Sequence, residues 1–239
     1  VRHRSNLTIV DRALVAHFEE HDGGITLDLV REGSVMTLAA DHLVLAAGVY
    51  GTPEILQRSG VGDPGLLQHL DIAVQVPLPN VGANLHDHPM THADRRVGPE
   101  LQTWLDEAAS SGFMPEEQTL GKAVSSLAED GIFDLHLFPV CANNQASILH
   151  GRVHVEVAVM TPVSRGSLQI TSTDPNVLSA IDHNYLGDEE GRDLAVMREG
   201  IQLANELLDH PALSSVLGES ITDTTTEAGV REHVEHYYH

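Results

Sequence analysis

Twenty residues, LVLAAGVYGTPEILQRSGVG from Leu43 to Gly62, constrain this chain more than any other stretch. Leu43, Val44, Leu45, Ala46 and Ala47 form an uncharged run with the length and character of a strand covered on both faces. Gly48 and Gly51 let the backbone turn tightly and approach another group closely. Thr52 suits an N-cap, Pro53 the first helical position and Glu54 the positive end of a helix. Gly60, after Ser59, is where a left-handed helix stop is expected. The string predicts a βα unit, whose plainest meaning is one more unit of a sheet.

The flanks extend that reading. Leu7 to Val10 and Ala13 to Phe18 read as short strands. Ile25, Leu27 and Leu29 alternate with polar positions as in a half-buried strand, and Val35 to Leu38 can pair with it across Glu32-Gly33. Asp63 to Leu70 suggests a short helix with Pro64 at its first position, and Ile72 to Val76 a strand. Glu100 to Asp130 is acidic, rich in small residues and broken by Gly112, Pro115 and Gly121, which predicts a variable lid or surface loop. Ile132 to Val140, Val153 to Met160 and Gly166 to Thr171 are β in composition. Leu194, Met197, Ile201, Ala204, Leu207 and Leu208 recur at helical spacing, with His210-Pro211 ending the pattern. Thr224-x-x-Glu227 fits a capping box opening a last helix. The fold class is mixed α/β.

Charge and length exclude some functions. The 239 residues can bury a substantial core, and 41% are hydrophobic. Thirteen basic against 35 acidic residues give −22, a field that repels nucleic acid and anionic lipid, so neither is an expected partner. No apolar run approaches the roughly 20 residues that span a bilayer. The first residues lack the apolar core of a signal peptide and include no methionine, as if the chain starts mid-protein. Cys141 is the one cysteine, so no internal disulfide forms; this suits a reducing compartment, and a cytoplasmic location is expected.

The whole string Gly48 to Gly62 resembles the second signature of the glucose–methanol–choline (GMC) flavoprotein oxidoreductases: Gly48, Thr52-Pro53, Ile55-Leu56 and Ser59-Gly60-Val61-Gly62, with Val49 where the family usually has a small residue. PLPNVGANLHDHP resembles the family's P-x-VG-x-NL-x-DHP link, and TPVSRGSLQITSTDP its P-x-SRG stretch. The resemblance spans nearly the whole chain, with a weak zone from Thr91 to Asp130. It implies part of a Rossmann-like FAD-binding domain over residues 1–89, rejoined at 237–239. A substrate domain with an antiparallel sheet flanked by helices is implied over 90–236. It also implies FAD as cofactor and hydride transfer from an alcohol CH–OH group to the flavin N5. The family's G-x-G-x-x-G should lie upstream of Val1 and its second catalytic position beyond the end. The chain is therefore expected to be an incomplete piece that neither holds FAD tightly nor turns over alone.

Site residues follow from the same resemblance. Tyr238-His239 occupies the place of the family's aromatic–histidine pair, which implies His239 as the proton acceptor and Tyr238 against the flavin; the alternative is a frayed terminal histidine. Val15 is implied at the adenine end, a role compatible with a core valine, and Ala47 and Gly48 beside the nucleotide. Asp134, His136 and Phe138 share one face of the strand expected over Ile132 to Val140, and His136 and Phe138 are candidate substrate contacts. Choline-oxidising members resemble D-H-x-E; this chain has Asp87-His88-Pro89-Met90, which favours a neutral alcohol.

The histidines at 86, 88 and 92 and at 233, 236 and 239 match no zinc pattern, so no metal is expected. Cys141 reads as a core or edge residue and not a nucleophile. A homo-oligomer stays open, as does the electron acceptor. The alternatives are a lyase-type member of the family and a non-catalytic remnant or flavin-free binding module.

Overall fold

The computed structural model describes residues 4–112, 119–142, 151–224 and 226–236. In chain order the elements are β1 (Ala13–His21), β2 (Gly24–Arg31), β3 (Ser34–Ala40), α1 (Gly48–Arg58), β4 (Val61–Gly62), α2 (Pro64–His69), β5 (Val76–Pro77), β6 (Ala83–Leu85) and β7 (Met90–Arg96). They continue with α3 (Pro99–Ser110), β8 (Gly121–Ala123), β9 (Leu135–Ala142), β10 (Arg152–Val159), β11 (Gly166–Gln169), β12 (Ala180–Asp182), α4 (Arg192–Leu208) and α5 (Glu227–His236). The chain divides into two units: residues 1–85 with 165–183, and 86–164 with 184–239.

In the first unit, β1, β2 and β3 form an antiparallel meander. Glu32 (φ 50°) and Gly33 (φ 78°) make the tight turn between β2 and β3 at the expected place. Leu7 to Val10, expected as a strand, makes no ladder with any described residue; Leu7 instead donates back to the Arg4 carbonyl in a turn.

The opening stretch needs correction at its first half. Leu43 to Ala47 makes no ladder with any described residue, Ala47 (φ −90°, ψ 15°) already turns into the helix, and Val44 is 86% exposed. An apolar run becomes a buried strand only where neighbours supply both ladder and cover; the described residues supply no ladder and only part of the cover, leaving Leu43 and Leu45 half-buried. The helix starts at Gly48, well before Thr52. Thr52 still serves the helix start, because the Ala47 N–H donates to its Oγ1 at 3.1 Å. Pro53 lies inside the helix and not at its first position. At the other end Gly60 stops the helix as expected, with φ 79° and its N–H on the Gln57 carbonyl at 3.0 Å. A Cβ there would also run into the Ala73 carbonyl.

Gln57, from the middle of the signature, is fully buried and joins three chain segments. Its Nε2 donates to the carbonyls of Val81 and Leu168, each at 3.1 Å, and its Oε1 accepts from the Ile170 N–H at 2.9 Å. α1 is thereby fastened to β11, the central strand of the β12-β11-β6 sheet. Asp63 caps α2 through Leu66 N–H to Oδ1 at 2.9 Å, with Pro64 first in the helix. Of the strand expected over Ile72 to Val76, the ladder takes only its last residue, in the short parallel pair β4–β5.

The second unit is built on an antiparallel sheet of order β7-β10-β9-β8 with α4 across one face. Leu135, Leu137, Val155, Val157 and Val159 meet Leu194, Met197, Ile201, Ala204 and Leu208 in its core. Leu207, expected on the same stripe, is exposed. Gly200 marks the closest approach, since a Cβ would collide with Val157 Cγ1 and lie 2.8 Å from Leu135 Cδ2.

Residues 99–110, expected as part of a loop, form helix α3. Pro99 stands at its start, and Leu105, fully buried, anchors it with half-buried Leu101 and Ala108 on the same side. Alanine and glutamate suit a helix as well as a solvated loop, and the apolar spacing decides. α5 begins at Glu227, two residues later than the Thr224-x-x-Glu227 capping pattern places its start. Its cap is Thr226, whose Oγ1 accepts from the Gly229 N–H at 3.0 Å, and not Thr224.

Candidate functional site

Strict alternation gives the second unit's sheet two unlike faces. Along β10, Val153, Val155, Val157 and Val159 point to the core, so Arg152, His154, Glu156 and Ala158 occupy the other side. Register extends that second face across the sheet. His136 pairs with Ala158, which pairs with Met90; Phe138 pairs with Glu156, which pairs with His92. His136 and Phe138, singled out from sequence, do share this face, with ring centroids 5.9 Å apart and edge to face. Lys122 on β8 lies opposite His136. Burial, then Lys122 and His88, lower the His136 pKa.

Asp134 departs from the expected arrangement. The strand starts one residue later, and the Asp134 carboxylate is buried, accepting from Ser125 N–H at 2.8 Å and Ser125 Oγ at 2.6 Å. It anchors the 125 loop. Cys141 is half-buried, and burial pushes its thiol up to about 11.

A cluster that the motifs did not reveal sits on the same face. His154 Nε2 lies 3.0 Å from Glu156 Oε1, too poorly aligned for a hydrogen bond, and neither of its buried ring nitrogens makes one. His92 Nδ1 is 4.0 Å from Glu156 Oε2. The His92 ring is 5.1 Å from that of His154 and 4.3 Å from that of His233, which α5 brings in from outside the sheet. His233 also bonds to the backbone of His92. Burial is the largest influence on His92 and takes its pKa down to about 4. His233 and His154 lower it further, against Glu156 and Asp94. His233 is lowered by burial as well, offset by Asp94 and Glu156. At Asp94 burial works upward, but bonds from Thr222 Oγ1 (2.7 Å) and from the N–H groups of Ile221 and Thr222 (3.0 Å each) take the carboxyl below its ordinary value. The period-two pattern Arg152-Val-His154-Val-Glu156-Val was the signal that could have exposed this face. Among the described residues, no three His, Cys, Asp or Glu side chains are disposed to share a metal ion.

In the first unit, Val15 is half-buried on β1 opposite Leu29. Ala47 and Gly48 are exposed at the start of α1. Gly48 has φ 81° and nothing within 4 Å of where a Cβ would stand. Tyr238 and His239 lie outside the described residues.

Two models of one family, GMC oxidoreductase, match this chain: an N-terminal one over residues 1–90 and a C-terminal one over 162–239. The chain belongs to the GMC oxidoreductase family. It is 32% identical to an oxygen-dependent choline dehydrogenase of Citrobacter koseri, over 99% of this chain and 47% of that protein. To the protein of that name from Pseudomonas savastanoi it is 31% identical, over 99% and 46%. The chain thus spans about half the length of the curated relatives it matches. Among solved structures, pyridoxine 4-oxidase from Mesorbium loti superposes with a TM-score of 0.76 at 20% identity, covering 98% of this chain and 46% of the other. An Aspergillus oryzae formate oxidase variant, studied for its FAD modification, does so with a TM-score of 0.76 at 20% identity, covering 100% and 51%. At that identity the likeness is one of fold. No helix among the described residues is long and apolar enough to cross a membrane.

Proposed function

We propose that this chain forms part of an FAD-dependent oxidoreductase acting on the CH–OH group of a small-molecule alcohol. The observation that carries the proposal is the paired family match, at both ends of a chain whose second unit presents one polar sheet face. Bound FAD supplies the hydride acceptor at its N5. Residues 1–89, with a return at 237–239, contribute to the FAD domain and 90–236 to the substrate domain, within which residues 165–183 pack with residues 1–85.

The residues fit those roles. Ala47 and Gly48 are exposed, and the open space at the Gly48 Cβ position leaves room for a phosphate-bearing group to approach the backbone closely. Val15 offers an apolar contact to an adenine ring, and Tyr238 one to a flavin. His239 takes the hydroxyl proton, a task suited to imidazole near neutral pH. His136 and Phe138 line the substrate side, one offering a polar contact and the other an apolar edge.

Met90 stands where choline-oxidising relatives carry an acid, which favours a neutral alcohol. A second reading, a cationic alcohol, is favoured by Glu156. That carboxylate lies on the same face as Met90, two residues along β10 from its partner Ala158. Anaerobic bleaching of the flavin in the flavin-loaded protein, with choline against neutral primary alcohols, decides between them. Bleaching by neither, with a flavin-dependent cleavage or addition reaction instead, would favour the lyase-type alternative. Failure of the full-length protein carrying this chain to take up any flavin at saturating FAD sinks the proposal.

A further inference from the structure

We propose that His92 and His233, together with His154 and Glu156, form a pH-sensitive contact that holds α5 against the sheet.

The anchorage of α5 is narrow. Among its described side chains only Val230 and His233 are buried; Glu227, Ala228, Arg231, Glu232 and His236 are exposed. Val230 belongs to the apolar core, so His233 is the one polar side chain, among those described, through which α5 reaches the sheet face. It meets His92 in an edge-to-face contact 4.3 Å between centroids and bonds to the His92 backbone. His92 in turn leans on His154, and both face Glu156. Three buried imidazoles and one half-buried carboxylate thus meet between one strand pair and one helix.

Such an interface favours the uncharged form of His92 and of His233. The groups facing it are His92 and Asp94 from β7, His154 and Glu156 from β10, and His233 and His236 from α5. Asp94 is already engaged by Ile221, Thr222 and Arg152 Nη1 at 3.5 Å. The attraction of the two carboxylates does not overcome burial, and both His92 and His233 are held neutral. A histidine whose folded pKa lies below its free value contributes fully above about 6.5. Its contribution is lost as pH falls toward the folded value. For His92, moving from pH 7.5 to 5.0 favours the undocked helix on the order of 30-fold, using about 4 docked and about 6.5 free.

Hydrogen exchange of the full chain, corrected for intrinsic rates, tests this. Protection of peptides within 227–236 should fall at least tenfold between pH 7.5 and 5.0, while β10 and α4 keep theirs. His233→Ala should lose that protection at both pH values. His233→Asn, which keeps a neutral donor close to the backbone and does not titrate, should restore it at pH 7.5 and show a smaller loss at pH 5.0. Unchanged protection of 227–236 at pH 5.0 overturns the proposal, and so does a His233→Ala loss shared equally by β10 and α4.

Discussion

Replacing Gln57 by leucine should detach α1 from β11 at nearly constant side-chain volume. The amide makes three hydrogen bonds, to the carbonyls of Val81 and Leu168 and from the N–H of Ile170. Each is worth about 1 kcal/mol net, and an N–H left buried without a partner adds about 1–2 kcal/mol. The expected loss is therefore about 4 kcal/mol, a large share of the ~5–15 kcal/mol that holds a typical domain together. Urea unfolding followed by far-UV circular dichroism measures it, and exchange of the Ile170 amide reads the site directly. The single tryptophan, Trp104 on α3 in the other unit, gives an independent fluorescence signal. Gln57→Glu sharpens the test. Its carboxylate would face two carbonyl oxygens, which raises its pKa above the unfolded value. That variant should therefore regain stability as pH falls from 7 toward 5, whereas Gln57→Leu should not. A loss below about 1 kcal/mol for Gln57→Leu refutes the reasoning, because the three bonds would then be replaceable by water.

Gly200→Ala should destabilise the second unit by about 1–2 kcal/mol: overpacking against Val157 and Leu135 costs up to about 3 kcal/mol and the gain in helix propensity returns about 1. The Trp104 fluorescence transition reads it, and a stabilised variant contradicts the close approach. With its thiol pushed up to about 11, Cys141 should react with an alkylating reagent at pH 8 roughly 100-fold more slowly in the native chain than in urea. Equal rates would show that the thiol is not shielded. The isolated 239-residue chain should purify with far less than one FAD per chain, and a stoichiometric flavin absorbance spectrum would contradict that expectation.

Local rules read well wherever one residue type has one physical use. Gly60 was legible because a left-handed stop takes glycine. Asp63-Pro64 was legible because a cap and a first-turn proline point to the same boundary. The α4 stripe was legible because its burial is one-sided. The rules faltered where two structures compete for one string. Leu43 to Ala47 has strand composition, yet a ladder is a property of neighbours. Thr224 and Thr226 both can cap, and the hydrogen bond to Gly229 selects the second. α3 was hidden by a composition that helix and loop share. At the site, strand alternation led to His136 and Phe138, which do share a face. His92, His154 and His233 converge from three elements, and no motif marks a contact made between a strand pair and a distant helix.

The two unlike faces of β10 make the strand far more sensitive to length than to composition. A single-residue deletion inside Arg152–Val159 would turn every following side chain over. With the deletion at Val153, the histidine and the carboxylate would be pressed under α4, and the valines that fill the core would be presented on the polar side. Individual positions on the polar face can therefore drift from one relative to another, exchanging Met90 or His136 for other side chains. The count of residues between its ends cannot drift with them. Variation within this part of the fold is expected as substitutions along the strand, with insertions and deletions confined to the connections on either side of it.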